Sequence, residues 1–233
     1  MISQYSNPRD IDREFWEDYH KAHYWLKRKT SGRDEYNKIL ESGWAVFIRA
    51  KDYCFSDVYY YTSPNTGNRW MMWVVSKRDE EGEMHLYSRA VLYYFTEAYM
   101  TIMIPITTVM ENREGEQRGK VDGVNIYTAH MFQRMADPDR LGVDMSDRVK
   151  VIRNFVESVA TGWSDTRPPR EGEKHTQIML RLPASWIRGH TIMVDNRHVT
   201  IYRTFWTDKS MSYKQLKDVR SFTKFADAKM NEK

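Results

Sequence analysis

One cysteine, Cys54, stands in 233 residues, so no internal disulfide can form. Set between Tyr53 and Phe55 in a strand-like run, it reads as a small buried hydrophobe, and a reducing cytoplasmic setting is expected. Glycine and proline are scarce, at 11 and 7 residues, which excludes collagen-like and low-complexity chains. No run of 18 apolar residues occurs; the longest greasy stretch, Tyr99 to Met110, is broken by Pro105 and several threonines, so no membrane partner is expected. The opening Met1-Ile-Ser-Gln-Tyr-Ser-Asn-Pro8 lacks the basic and apolar regions of a secretory leader. Also missing are G-x-G-x-x-G, a Walker loop, G-x-S-x-G and C-x-x-C, so there is no cofactor signature and no zinc ribbon.

What is present is a folding chain: 41% hydrophobic, 14% aromatic and long enough to bury a core. Charge is nearly balanced, 36 Lys and Arg against 32 Asp and Glu, and the net +4 is too mild for a dedicated duplex-DNA binder. The excess is uneven. Between residues 147 and 190, Arg148, Lys150, Arg153, Arg167, Arg170, Lys174, Arg181 and Arg188 outnumber the carboxylates. A basic face there would accept RNA or another anionic partner.

Ile11, Phe15, Tyr19, Ala22 and Leu26 recur with helical spacing, which predicts an amphipathic first helix from Ile11 to Lys29. Asp34 to Glu41 predicts a short second one. Trp44–Ile48, Asp57–Tyr61, Arg69–Val75, His85–Phe95 and Ala98–Val109 then read as an antiparallel meander, with a helix as the other reading of Arg89–Phe95. Tyr59, Tyr60 and Tyr61 with Trp70 and Trp73 fit strands buried on both faces; base stacking or a dimer interface would use the same rings.

Asn112–Gly119 reads as a polar loop and Gly123–Tyr127 as a strand. Ala129–Met135 is a short helix ended by Pro138, and a helix capped by Asp144 or Ser146 follows. Trp163–Lys174, with its Arg167-Pro-Pro-Arg170, reads as a linker or exposed loop. Thr176–Leu182, Thr191–Val194 and His198–Trp206 return to strand, the last two joined by an Asp195-Asn196 hairpin turn. Ser212 caps a closing helix with Leu216, Val219, Phe222 and Phe225 as its core stripe. The segregated order predicts an α+β fold, a mostly antiparallel sheet with N-terminal, central and C-terminal helices packed on it. Two parts, 1–120 and 121–233, or one compact domain fit equally.

Three constellations bear chemistry. Glu17, His20 and His23 at spacings of three could hold a divalent ion, although a solvated helix face accounts for them better. His130 and Arg134 lie one helical turn apart, with Arg140 beyond. An imidazole that moves protons beside a guanidinium that neutralises phosphate oxygens suits a phosphodiester, and Thr128 would cap their helix. Strand alternation places Arg203 and Phe205 on one face of the last strand, and Tyr202, Thr204 and Trp206 on the other.

The pattern His130-x-x-x-Arg134, Arg140, a helix and a hairpin ending in a strand with Thr204 resembles small ribonuclease-like toxin domains. These are the barnase–EndoU–colicin–RelE group with an H-x-x-x-R-x-x-x-R helix. The likeness spans about residues 125–206, and Arg140 stands six positions past Arg134 where the pattern has four. It implies metal-independent endoribonuclease chemistry on RNA. His130 would act as acid or base, Arg134 and Arg203 would hold the phosphate, and Tyr127 or Thr204 would orient it. Arg140, Arg148 and Arg153 would contact the nucleic acid. The competing expectation is a non-catalytic interaction protein of a phage or mobile element, binding a protein, a nucleic acid or a second copy of itself.

Overall fold

The computed structural model describes residues 2–32, 53–78, 82, 84–97, 99–111, 117–160, 163–167, 169, 171–172, 174–182 and 185–230. The elements expected at 34–41 and 44–48, and the burial of the Cys54 and Phe225 side chains, lie outside what is described. The chain divides into two compact units, one of Met1–Tyr94 with Ile102–Pro105, the other of Phe95–Thr101 with Ile106–Lys233. The division falls ahead of the polar stretch at 112–119. No described helix is long and apolar enough to cross a membrane.

In the first unit, α1 (Pro8–Thr30) begins where the Asn7 side chain accepts from the Arg9 amide and Pro8 presets the first turn. Its stripe of Ile11, Phe15, Ala22 and Leu26 is buried, and the Phe15 ring lies 5.1 Å from Trp70. That tryptophan belongs to β3 (Arg69–Arg78), which pairs antiparallel with β1 (Tyr53–Phe55), β2 (Tyr59–Thr62) and β4 (Met84–Phe95). Every residue of β3 from Trp70 to Val75 is buried, which explains an apolar run without alternation. On β2 burial alternates instead, and Tyr60 remains 55% exposed. Arg89–Phe95 is strand, its register on β3 set through Trp73↔Arg89 and Trp70↔Leu92.

One polar knot ties α1 to the β2–β3 turn. Asp18, fully buried, accepts from Ser63 Oγ at 2.7 Å, Asn68 Nδ2 at 2.7 Å and Thr66 Oγ1. Asn68 also donates to Glu14 and accepts the Ile2 amide. A polar group so deep is tolerated because hydrogen bonds replace its water.

In the second unit, β6 (Gln117–Tyr127), β10 (Arg197–Thr207), β9 (Ser185–Val194), β8 (Thr176–Leu182) and β7 (Trp163–Arg167) lie side by side in that order. All pairings are antiparallel except β6 with β10, which is parallel. The remaining strand, β5 (Met100–Glu111), contributes residues to both units. The fold is α+β with a mostly antiparallel sheet.

Two segments expected as loop are strand. Gln117–Gly119 continues β6 instead of belonging to a loop, and Trp163–Arg167 is a strand against β8. The β9–β10 turn is as read: Asp195 and Asn196 both take positive φ, 45° and 68°.

Three helices complete this unit: α2 (Ala129–Ala136), α3 (Arg148–Ala160) and α4 (Tyr213–Met230). The cap of α3 is neither Asp144 nor Ser146, which bond to each other, but Asp147, whose carboxylate accepts the Lys150 amide at 3.0 Å. At α4, Ser212 and Gln215 exchange side-chain and backbone hydrogen bonds in a capping box. On one sheet face Tyr127 stacks on Tyr202 at 4.8 Å, and Phe155 of α3 meets Tyr127 edge-on at 4.8 Å. On the opposite face Met179, Trp186 and Trp206 pack with Val219 and Phe222 of α4.

Candidate functional site

The β10 strand does not alternate through its centre. Tyr202 pairs with Gly189, but the next pair is Thr204 with Arg188, so Arg203 is an extra residue in a β-bulge. Gly189 is what allows it, since a Cβ there would lie 2.4 Å from the Ile201 carbonyl oxygen and 3.0 Å from Tyr202 Cα. The bulge turns Arg203 outward, exposed between buried Tyr202 and half-buried Thr204.

Strand pairing then supplies neighbours that lie far away in sequence. His190 pairs with Ile201 on one side and Gln177 on the other, which puts it on the α4-side face. The His175 ring stacks on it at 5.2 Å. Burial lowers the His190 pKa from 6.5 to about 4, and the nearby charges of Arg203 and His175 push the same way. At neutral pH this is an uncharged imidazole held beside a guanidinium.

The remaining candidates take other roles, although α2 starts against β10, where the Thr128 amide donates to the Tyr202 carbonyl at 3.1 Å. On α2, Arg134 Nε donates to His130 Nε2 at 2.9 Å, with His130 exposed, so these two do meet. The bond occupies the lone pair a general base would use. Thr128 takes the N-cap position without a side-chain capping bond.

Arg140 donates to the Phe205 carbonyl at 2.8 Å, beyond the point where the β6 ladder ends, and pairs with Asp137. Arg148 donates to the Thr96 and Glu97 carbonyls, both at 2.7 Å. Both guanidiniums therefore tie the fold together through these donors. Arg153 is half-buried on α3. Tyr127 is fully buried, its hydroxyl accepting from Asn125, and burial raises its pKa well above the usual range. It cannot orient a solvent-borne phosphate.

No family profile, curated protein or solved structure matches the chain.

Glu17 is held by Lys21 at 2.7 Å, and His20 and His23 lie against the Trp16 and Tyr19 rings. Among the described residues no group of three or more His, Cys, Asp or Glu is arranged to hold a metal ion. A groove of about 680 Å³ lined by Leu141, Val143, Lys150, Asn154, Phe155 and Phe205, among others, contains no histidine or arginine. Arg203 and Thr204 stand out in the sequence itself, whereas the signal for His175 and His190 lies in the Thr176–Leu182 hairpin register, which sets Gln177 opposite His190.

Proposed function

We propose that the chain is a metal-independent endoribonuclease-like domain acting on RNA phosphodiesters, centred on His175, His190 and Arg203. The observation that carries this reading is the stacking of His175 on His190 at 5.2 Å, with the bulge residue Arg203 on the neighbouring strand near enough to disfavour a charge on His190. The reaction that fits is attack by a ribose 2′-hydroxyl on its neighbouring phosphate. The 2′-O–P bond forms and the P–O5′ bond breaks, leaving a cyclic phosphate and a 5′-hydroxyl. One imidazole accepts the 2′-hydroxyl proton and the other supplies a proton to the leaving 5′-oxygen. Arg203 neutralises charge building on the phosphate oxygens. Burial is the larger cause of the lowered His190 pKa, but a phosphate seated between Arg203 and His190 offsets the part that Arg203 adds, so substrate binding and proton uptake reinforce each other.

The test is cleavage of a fluorogenic single-stranded RNA in EDTA. His190→Ala and Arg203→Ala should each lose about 100-fold or more, with circular dichroism unchanged, while His130→Ala stays within threefold of the parent. Loss confined to His130→Ala and Arg134→Ala would move the centre to α2. A parent without activity would remove the catalytic reading and leave the interaction protein.

A further inference from the structure

The second half of α1 carries a surface that the chemistry above does not use. From Tyr19 to Gly32 there is no Asp or Glu, whereas Lys21, Lys27, Arg28, Lys29, His20 and His23 are interleaved with Tyr19, Tyr24 and Trp25. In the structure Lys21, Tyr24, Trp25, Arg28 and Lys29 join Tyr61 of β2 around an open recess of about 580 Å³. The Trp25 and Tyr61 rings lie 5.5 Å apart at 39°, each half-buried, and Lys29 sits over the Trp25 ring at 5.8 Å. Tyr24 stands 64% exposed beside them. Cations in the last turn complement the helix dipole, but that requires no aromatic ring.

We propose that this recess binds single-stranded RNA, with bases stacking on Trp25, Tyr61 and Tyr24 and phosphates paired to Arg28 and Lys29. Half-buried rings of this kind are fixed in place while keeping surface open to a base, the arrangement of a stacking platform. Bases inside a duplex are already stacked on one another and cannot use such a platform. An acidic peptide would engage the cations and leave the rings idle. The surface lies wholly in the first unit and stands independently of the cleavage reading.

The test is fluorescence anisotropy of the full chain with a labelled, U-rich 12-mer of 2′-O-methyl RNA, which has no 2′-hydroxyl to react. Binding should weaken with salt at a slope of about −1.4, as for two phosphates neutralised on a single strand. Trp25→Ala and the surface pair Arg28→Glu with Lys29→Glu should each weaken it at least tenfold, Trp25→Phe less than threefold, and His190→Ala not at all. Should Trp25→Ala not fold, Trp25→Phe and the charge-reversal pair decide. Equal binding of a duplex of the same sequence, equal competition by poly-glutamate, or unchanged affinity in the Arg28→Glu, Lys29→Glu variant would each overturn the proposal. Because the probe cannot be cleaved, failure here is distinct from failure of the ribonuclease reading.

Discussion

The Asp18 knot in the first unit and the His175–His190–Arg203 cluster in the second are both built from polar side chains distant in sequence, and they are opposite in kind. Asp18 is fully buried with hydroxyl and amide donors converging on its carboxylate. His190 is half-buried beside groups that disfavour its charged form. A polar cluster whose members satisfy one another contributes stability, whereas one whose members repel one another leaves interactions open for a ligand to complete. The first fastens the fold. The second is the better place to look for chemistry.

Asp18→Ala should give the largest effect. It orphans donors from Ser63, Thr66 and Asn68, and at about 1–3 kcal/mol for each buried unsatisfied group the loss should reach about 3–5 kcal/mol in urea unfolding. A loss under 1 kcal/mol would mean that water replaces the carboxylate and the knot is not a fastener. Gly189→Ala comes next, at about 3 kcal/mol, the upper end for overpacking, because its Cβ would meet backbone that cannot rotate away. If that variant folds with normal stability, the bulge is more plastic than its geometry indicates.

Acid titration tests the second cluster directly. The unfolded His190 takes a proton near pH 6.5 but the folded one only near 4. The unfolded state therefore binds more protons between those values, and stability falls as pH is lowered from about 6.5 to about 4. Solvent screening at a half-exposed group keeps this near 1–2 kcal/mol. Thermal melts of His190→Gln should show a flatter acid limb, and an unchanged limb would assign the effect elsewhere. The smallest change in stability is expected for Arg203→Ala, within about 0.5 kcal/mol of the parent as for other exposed positions. A loss comparable to that of Asp18→Ala would erase the distinction between the two clusters.

Much of the fold is legible in the sequence where information is local. The four-residue rhythm of Ile11, Phe15, Ala22 and Leu26 places α1, and Asp195-Asn196 places the last hairpin. His130 and Arg134 meet because one helical turn separates them. What escaped depends on pairing between distant segments. Trp163–Arg167 alone is five unremarkable residues, and it becomes a strand only because β8 offers an edge. The bulge at Arg203 follows from the close approach of Gly189 on another strand, which strict alternation cannot foresee. His175 and His190 are joined by a register, and Asp18 by a turn more than forty residues away. Tyr127 cannot orient a phosphate because Phe155 of α3 covers its face, which the residues around the strand–helix junction do not encode.

The parallel pairing of β6 with β10 carries a consequence for synthesis on the ribosome. Residues 123–127 find their partners only at 198–202, after everything from 128 to 196 has been made. At roughly 5–20 residues per second, the edge of β6 destined for β10 waits several seconds without its partner. Through that interval the Val124 and Ile126 amides are open to any other extended chain nearby, and closure must pay the entropy of a long loop. Gly123 tightens the requirement, since a Cβ there would lie 2.5 Å from the His198 carbonyl oxygen. The last strand made is therefore the one that seals an earlier edge, and truncation just before Arg197 should yield a chain that aggregates through β6.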